Sequence, residues 1–548
     1  MRNFLFSAFI LSLLCSSQSV HAQSFILYGD KAFGGSYPEA FGRIISDGTR
    51  LTIAGGGGSA ISGEVTDTIC PSTTVPGDCW LVQFDAQFNI YWNKFIGGNA
   101  NDNIPMPAYI EQDHTFLFSA ESNSDSSCDK SEDAWAQEED YWIVKIDTAG
   151  NKLWDRTYGG IFEDRFPKII RLSTGEYIVC GNSDSPVGAD KTAAPYGGWD
   201  YWALKLDING NKLWDKVYGG TGQELANSAT ISWNFSILAD DDGKFLLAGS
   251  TNSPASGDIS QPQIGGVDIW VIKLDYAGNK IWDRRYGGSL GDWCSKIIKT
   301  ADEGYIISGI TGSPQDNDVS DPPRGSSDIW VIKLDSLGYK QWDKRYGGTG
   351  GESSSSIAEA PGGGYWICGT TGSDTASFEV SEDSYGGQDY WMLRIDGAGN
   401  LLWDKRFGGP GLWEYAQDFV IMDDESIFLC GTASAGTSAV KTDSGDGYSD
   451  YWVVHFKVNE LTGGSNVPQP GSINLTIYPN PAADNITITA NKPFNGLRIL
   501  NVLGEVVQQQ AFTSTTVARA EVSQLPAGVY FIQVSGNHAG GVMKFVKE

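Results

Sequence analysis

Histidine, methionine and cysteine are scarce in this chain, with 4, 5 and 8 copies in 548 residues, and 38 basic residues face 67 acidic ones. Each shortage excludes something. With an N-terminal leader set aside, only His114, His455 and His538 remain, at unrelated positions, so a zinc centre or a histidine general base has no constellation to work with. A net charge of −29 argues against nucleic acid as a partner. No HExxH, GxSxG or GxxxxGK[ST] occurs. Beyond the first 22 residues no apolar run is long enough to span a membrane.

What is present is repetition. DIWVIKLDYAGNKIWDRRYGG (Asp268 to Gly288) has close copies beginning at Asp140, Asp200, Asp328 and Asp389, a looser one at Cys79 and a half copy at Asp450. The first Trp of each copy falls at 80, 142, 202, 270, 330, 391 and 452, a period of 60 to 68 residues. Within a copy, Trp270, Ile272 and Leu274 alternate with Ile269, Val271 and Lys273, the period of a strand with one packed face. A DxxGN turn leads to a return strand that stops at a diglycine. A second hairpin, as in Ser295 to Thr311, lies between copies.

Four antiparallel strands per unit, with a fixed aromatic, predict a propeller blade, and both strand types count to seven. Ser24 to Gly35 matches only the last strand of a unit, and the final unit, ending near Val458, lacks that strand. The expected fold is therefore an all-β, seven-bladed β-propeller over 23–459, its N-terminal strand closing the last blade and removing two free sheet edges. Gly29 stands where the other copies carry Trp.

Residues 1–22 read as a secretion leader: Arg2, then apolar Phe4 to Leu14, then Val20-His21-Ala22 before Gln23. In an oxidising compartment Cys70 and Cys79, in one long loop, are expected to pair, with Cys128 as the competitor. Cys180, Cys368 and Cys430 share a repeat position that elsewhere holds Ala or Ser, which makes them packing residues. By strand alternation the two tight turns of each unit share one end of the ring and the long variable loops the other, where binding is expected. Trp135, Tyr196, Trp199 and Tyr385 lie in those loops and form the candidate rim for a glycan or protein ligand. Glu64, Asp258, Asp318 and Glu379 each precede Val or Ile and then Ser or Thr. They read either as turn caps or as a partial ring of calcium ligands. Asp155, Asp215, Asp283, Asp343 and Asp404 recur beside the strand Trp, and a residue needed in every blade is architectural, because an active site needs unlike groups converging once.

After a Gly/Pro/Ser linker, 460–472, a small β domain spans 473–548, read as an Ig-like sandwich. Its motifs are Tyr478-Pro479-Asn480-Pro481, Asn501-Val-Leu-Gly504, Leu525-Pro-Ala-Gly528-Val-Tyr530 and Lys544-Phe-Val-Lys547. In combination they resemble the type A C-terminal sorting domain of the type IX secretion system. That resemblance implies a cell of the Bacteroidetes type, handling by the secretion machinery and its sortase, and release or attachment to surface lipopolysaccharide. The DxxGNKxW turn is similar to the tryptophan-docking turn of quinoprotein propellers, without their vicinal cysteine pair. Three functions fit: a non-enzymatic binding module, a polysaccharide hydrolase or lyase on a propeller scaffold, and a calcium-stabilised coat component. No cofactor is required by any residue pattern.

Overall fold

The computed structural model describes residues 23–71, 77–110, 115–225, 235–460, 475–479, 481–501, 506–535 and 540–547. The leader (1–22), nearly all of the linker, Asn480 and Gly504 lie outside them. The chain divides into two compact units, one spanning Leu27–Lys457 and the other containing Val458–Glu548. Among the described residues no helix is long and apolar enough to cross a membrane.

The larger unit is built of antiparallel sheets, each made by one copy of the repeat. In chain order sheet I is 39–96, II 102–158, III 164–218, IV 224–286, V 292–346 and VI 352–407. Sheet VII joins Glu414–Ile421, Ile427–Ser434 and Ser449–Glu460 to the N-terminal strand Gln23–Phe33, as the phase of the repeat predicts. Each sheet packs on the next, and sheet VII packs on sheet I, so the series closes on itself. The inner strands are buried along their whole length because both faces are covered by neighbouring sheets.

The repeated residues have definite tasks. Trp80, Trp142, Trp202, Trp270, Trp330, Trp391 and Trp452 are fully buried. Six of their indole N–H groups donate to an aspartate on the adjoining fourth strand, as in Trp142 to Asp155 (3.0 Å), Trp330 to Asp343 (3.0 Å) and Trp452 to Asp30 (2.9 Å). Buried Trp requires such a partner, which explains the recurring acid. Tyrosines cross the joints: the Tyr201 hydroxyl donates to Ser250 O (3.2 Å), and Tyr451 in sheet VII reaches Gly56 O (3.2 Å) in sheet I. Gly249 admits this approach, since a Cβ there would lie 1.9 Å from the Tyr201 hydroxyl.

One expectation fails. Cys70 is bonded to Cys128, with Cα atoms 6.1 Å apart, and Cys79 is a free, buried thiol. The reason is repeat geometry. Cys79 belongs to a strand whose side chains are enclosed, whereas Cys70 occupies a loop position from which several of the long loops reach the next one. Trp135 donates from there to Asp190 (2.9 Å), and Arg324 pairs with Glu379 (2.9 Å).

In the second unit, strands Leu475–Tyr478, Asn485–Leu500, Val506–Glu521, Gly528–Ser535 and Gly540–Lys547 form one five-stranded antiparallel sheet. Register shifts between Thr489 and Gly496 divide Asn485–Leu500 into halves, the first paired with Leu475–Tyr478 and the second with Gly528–Ser535, while Val506–Glu521 runs along both. Ile488, Phe494, Ile499, Tyr530 and Phe545 are buried in its core. Tyr530 donates to Pro526 O (3.0 Å) and stacks on Phe545, while Tyr478 and Pro479 are exposed.

Candidate binding groove at the closing joint

The end of the ring that carries the long loops also carries the diglycine joints, as alternation requires. There six of the seven loops send an acid back to the preceding sheet, and in the seventh Ser438 Oγ donates to Gly408 O. Glu64 donates its N–H to Gly34 O and accepts from Gly34 N, and the same reciprocal pair recurs for Asp258 with Gly219, Asp318 with Gly287 and Glu379 with Gly347. The four candidate calcium ligands are thus kept on four separate joints, each binding a backbone N–H. Asp129 and Asp190 do likewise with Gly97 and Gly159 and escaped the sequence pattern because Lys follows them in place of Val or Ile. Among the described residues the carboxylates close enough to share an ion are Glu138, Glu139 and Glu163, within 4.8 Å of one another.

The candidate rim aromatics are also distributed singly. Trp135, Tyr196 and Tyr385 occupy one loop position, where their backbone N–H groups cap Asp140, Asp200 and Asp389 at the start of the third strand. Trp135 spans to the next loop through Asp190, and Tyr196 reaches Asp258. Trp199 is half-buried, its carbonyl accepting from Glu224 N.

Aromatic side chains do converge at the joint between sheets VII and I. A groove of about 850 Å³ is lined by Phe41, Leu412, Trp413, Tyr415 and Tyr448, with Gln417, Thr432, Ser434 and Asp446 among them. Trp413 is 60% and Tyr448 85% exposed, which leaves their ring faces open. The polar groups are held by local bonds. Phe41 N donates to Thr432 Oγ1 (2.9 Å), and Ser434 Oγ accepts from Trp413 N (3.2 Å) and donates to Trp413 O (2.9 Å).

Comparison with the next joint but one explains the opening. Phe166, at the place of Phe41 in sheet III, is buried, its N–H donating to Glu121 (2.7 Å), while the Arg165 guanidinium lies 4.9 Å over its ring. At the closing joint Thr432 stands where Glu121 does and Ala40 where Arg165 does, so neither the carboxylate nor the guanidinium is there and the bulge aromatic is left exposed. Trp413 has no counterpart at its position in other sheets, and this departure from the repeat was the signal available in the sequence.

A closed series of Trp-centred antiparallel sheets followed by a separate small β unit defines a propeller protein with an appended tail. Residues 476–548 match the family model described as the secretion system C-terminal sorting domain, and the chain is accordingly exported to the cell surface or beyond. Over 291 residues the chain is 25% identical to the regulatory protein FlaEY of Caulobacter vibrioides, covering 49% of this chain and 29% of that protein. It therefore spans less than a third of that relative's length. Solved structures similar to it include the Neurospora crassa Pan2 WD40 domain (10% identity, TM-score 0.41, covering 80% of this chain and 97% of that one). The phage phi92 endosialidase is another (10% identity, TM-score 0.40, covering 83% and 73%).

Proposed function

We propose that the chain is an exported, seven-bladed propeller that captures a glycan through the groove at its closing joint, without chemistry of its own. The observation behind this reading is the groove's composition: open Trp and Tyr faces beside amide, hydroxyl and carboxylate groups. Aromatic faces cover the C–H face of a sugar ring, and short polar side chains satisfy its hydroxyls. The paired buried acids elsewhere in the ring are sealed from solvent and serve the joints. On this reading the tail is a small Ig-like sandwich that the type IX secretion machinery and its sortase process, leaving the propeller released or attached to lipopolysaccharide.

The test is a glycan array probed with the full chain, followed by titration of any hit against Trp413→Ala and Tyr448→Ala. Each substitution is expected to weaken binding about tenfold or more while leaving the melting temperature within about 2 °C, since both rings are exposed. A blank array, or a hit indifferent to both changes, would sink the reading. Polysaccharide cleavage by the native chain would replace it with the enzymatic alternative.

A further inference from the structure

The opposite end of the same joint departs from the repeat in a second way. At five joints a fourth-strand tryptophan lies on the glycine of the next sheet's DxxG turn. Trp92 meets Gly150, Trp154 Gly210, Trp214 Gly278, Trp282 Gly338 and Trp342 Gly399, with indole atoms 2.9 to 3.1 Å from where a Cβ would stand. Trp92 also donates its indole N–H to Thr148 O (2.9 Å) in that turn.

Between sheets VII and I the pair is inverted. Gly29 stands at the tryptophan's place and Phe88, at φ +64°, at the glycine's. Phe88 occupies only part of the space, its nearest atom 3.6 Å from a Cβ placed on Gly29. His455 supplies a second part. It stacks on Phe428 with centroids 3.8 Å apart, meets Phe88 edge-on, and bonds the Ala86 carbonyl, which corresponds to that of Thr148. The rest is a cavity of about 800 Å³.

Its lining is chemically one-sided. Phe88, Phe428, Met422 and the half-exposed Tyr28 give apolar walls, and Asp423 and Asp424 stand on the rim, with no lysine or arginine in the lining. His455 is 92% buried, and its Nε2 has no hydrogen-bond partner. The nitrogen that donates to Ala86 is therefore Nδ1, and Nε2, itself enclosed, keeps an unmatched lone pair on a ring that lines the cavity. A buried acceptor left unmatched is costly, and ring faces beside carboxylates favour positive charge.

We propose that this cavity is a second binding site, independent of the rim groove, for a small organic cation: an amine carried on an aromatic or apolar body. Its N–H group would donate to His455 Nε2 and its charge would face Asp423 and Asp424, with the body against Phe88 and Phe428.

The test uses the full chain and three matched probes in calorimetric titrations: 2-phenylethylammonium, neutral 3-phenylpropanol and anionic 3-phenylpropanoate. The ammonium is expected to bind, the alcohol more weakly and the carboxylate not at all. His455→Phe keeps the stacked ring but removes the acceptor and should weaken ammonium binding about tenfold or more. The surface pair Asp423→Asn with Asp424→Asn should weaken the ammonium and not the alcohol, and decides the matter if the histidine variant does not fold. In the native chain, ¹⁵N spectra should show the Nε2 resonance of His455 moving on ammonium addition. No ammonium binding, equal binding of all three probes, or full affinity in a folded His455→Phe would overturn the proposal.

Discussion

At the residue scale the ring is held by one rule applied with substitutions: each buried strand-start aspartate except that of sheet I has one buried cation near it. In sheets IV, V and VI that cation is a fourth-strand arginine, with Arg345 3.2 Å from Asp328 and Arg406 3.0 Å from Asp389. In sheets II, III and VII the equivalent position holds Thr157, Val217 or Ala32, and a buried loop lysine takes over, with Lys130, Lys191 and Lys441 lying 5.7, 5.9 and 5.8 Å over the sheet's tryptophan. Sheet I has Phe95 and Val65 at the two positions and neither cation. Burial pushes its Asp78 up to about 7, and the charge of Asp102 adds to the effect. The fourth-strand aspartates are the opposite case. Bonds from Ser320, Trp330 and Lys340 hold Asp343 below its ordinary range despite its burial. Asp343→Ala would leave the Trp330 indole and the Ser320 N–H without their acceptor, costing about 2 to 4 kcal/mol of stability at pH 7. Denaturant melts should show this loss, with Asp343→Asn retaining part of it. An unchanged midpoint would mean that the indole bond contributes nothing.

At the element scale the joint between sheets is a meeting of two carboxylates, one starting the third strand of a sheet and one starting the first strand of the next. The second is well supplied at the joint of sheets V and VI, where Glu352 accepts from Gly348 N (2.8 Å), Thr371 Oγ1 (2.8 Å) and Ser373 Oγ (2.7 Å). The first keeps one oxygen without a partner in Asp78, Asp140, Asp200, Asp328, Asp389 and Asp450. Burial, with the partner's charge, raises Asp140 to about 8, Asp78 to about 7 and Glu414 to about 8. A carboxyl raised in this way binds its proton more tightly when folded. The stability it confers is complete below the unfolded value near 4 and is lost as pH climbs through 7 to 8, at about 1.4 kcal/mol per pH unit for each titrating group. The chain should therefore melt at a higher temperature at pH 5.5 than at pH 8.5. Asp140→Asn, which keeps the acceptor for Trp135 N and needs no proton, should flatten that slope. A slope equal to the native one in this variant would contradict the assignment. Much of this element was legible in the sequence, because seven noisy copies of one strand pattern reinforce one another. The loop contacts were not. Cys70, Trp135, Tyr196, Arg324 and Tyr385 share one position, but their loops differ in length and their side chains in chemistry, so nothing in the spacing aligned Cys70 with Cys128 as its partner.

At the scale of the whole molecule, both candidate sites fall at the one joint where the chain's own ends meet. A repeat constrains every residue that a neighbouring copy must fit, and it is weakest where the first copy must fit the last. That is where Gly29, Phe88, Phe41, Trp413 and Tyr448 depart from their counterparts, and read from sequence alone such departures pass for decay. The joint is nonetheless firmly made. Phe33 is fully buried, Asp30 receives the Trp452 indole at 2.9 Å, and Lys31 bonds Asp443 at 3.0 Å, all from a single strand that no covalent turn ties to its sheet. A chain beginning at Gly34 would bare the edge of Ser449–Glu460 and strand the indole of Trp452. Burial of Phe33 and the Asp30 bond together make this a loss of about 4 kcal/mol or more, and the open edge should promote aggregation. Because the missing strand is a separate piece of chain, a synthetic peptide of residues 23–35 added in trans should restore the melting temperature and solubility in a saturable manner. A truncated chain that melts like the native one and ignores the peptide would show that the ring closes by other contacts, and both candidate sites would lose the joint on which they are built.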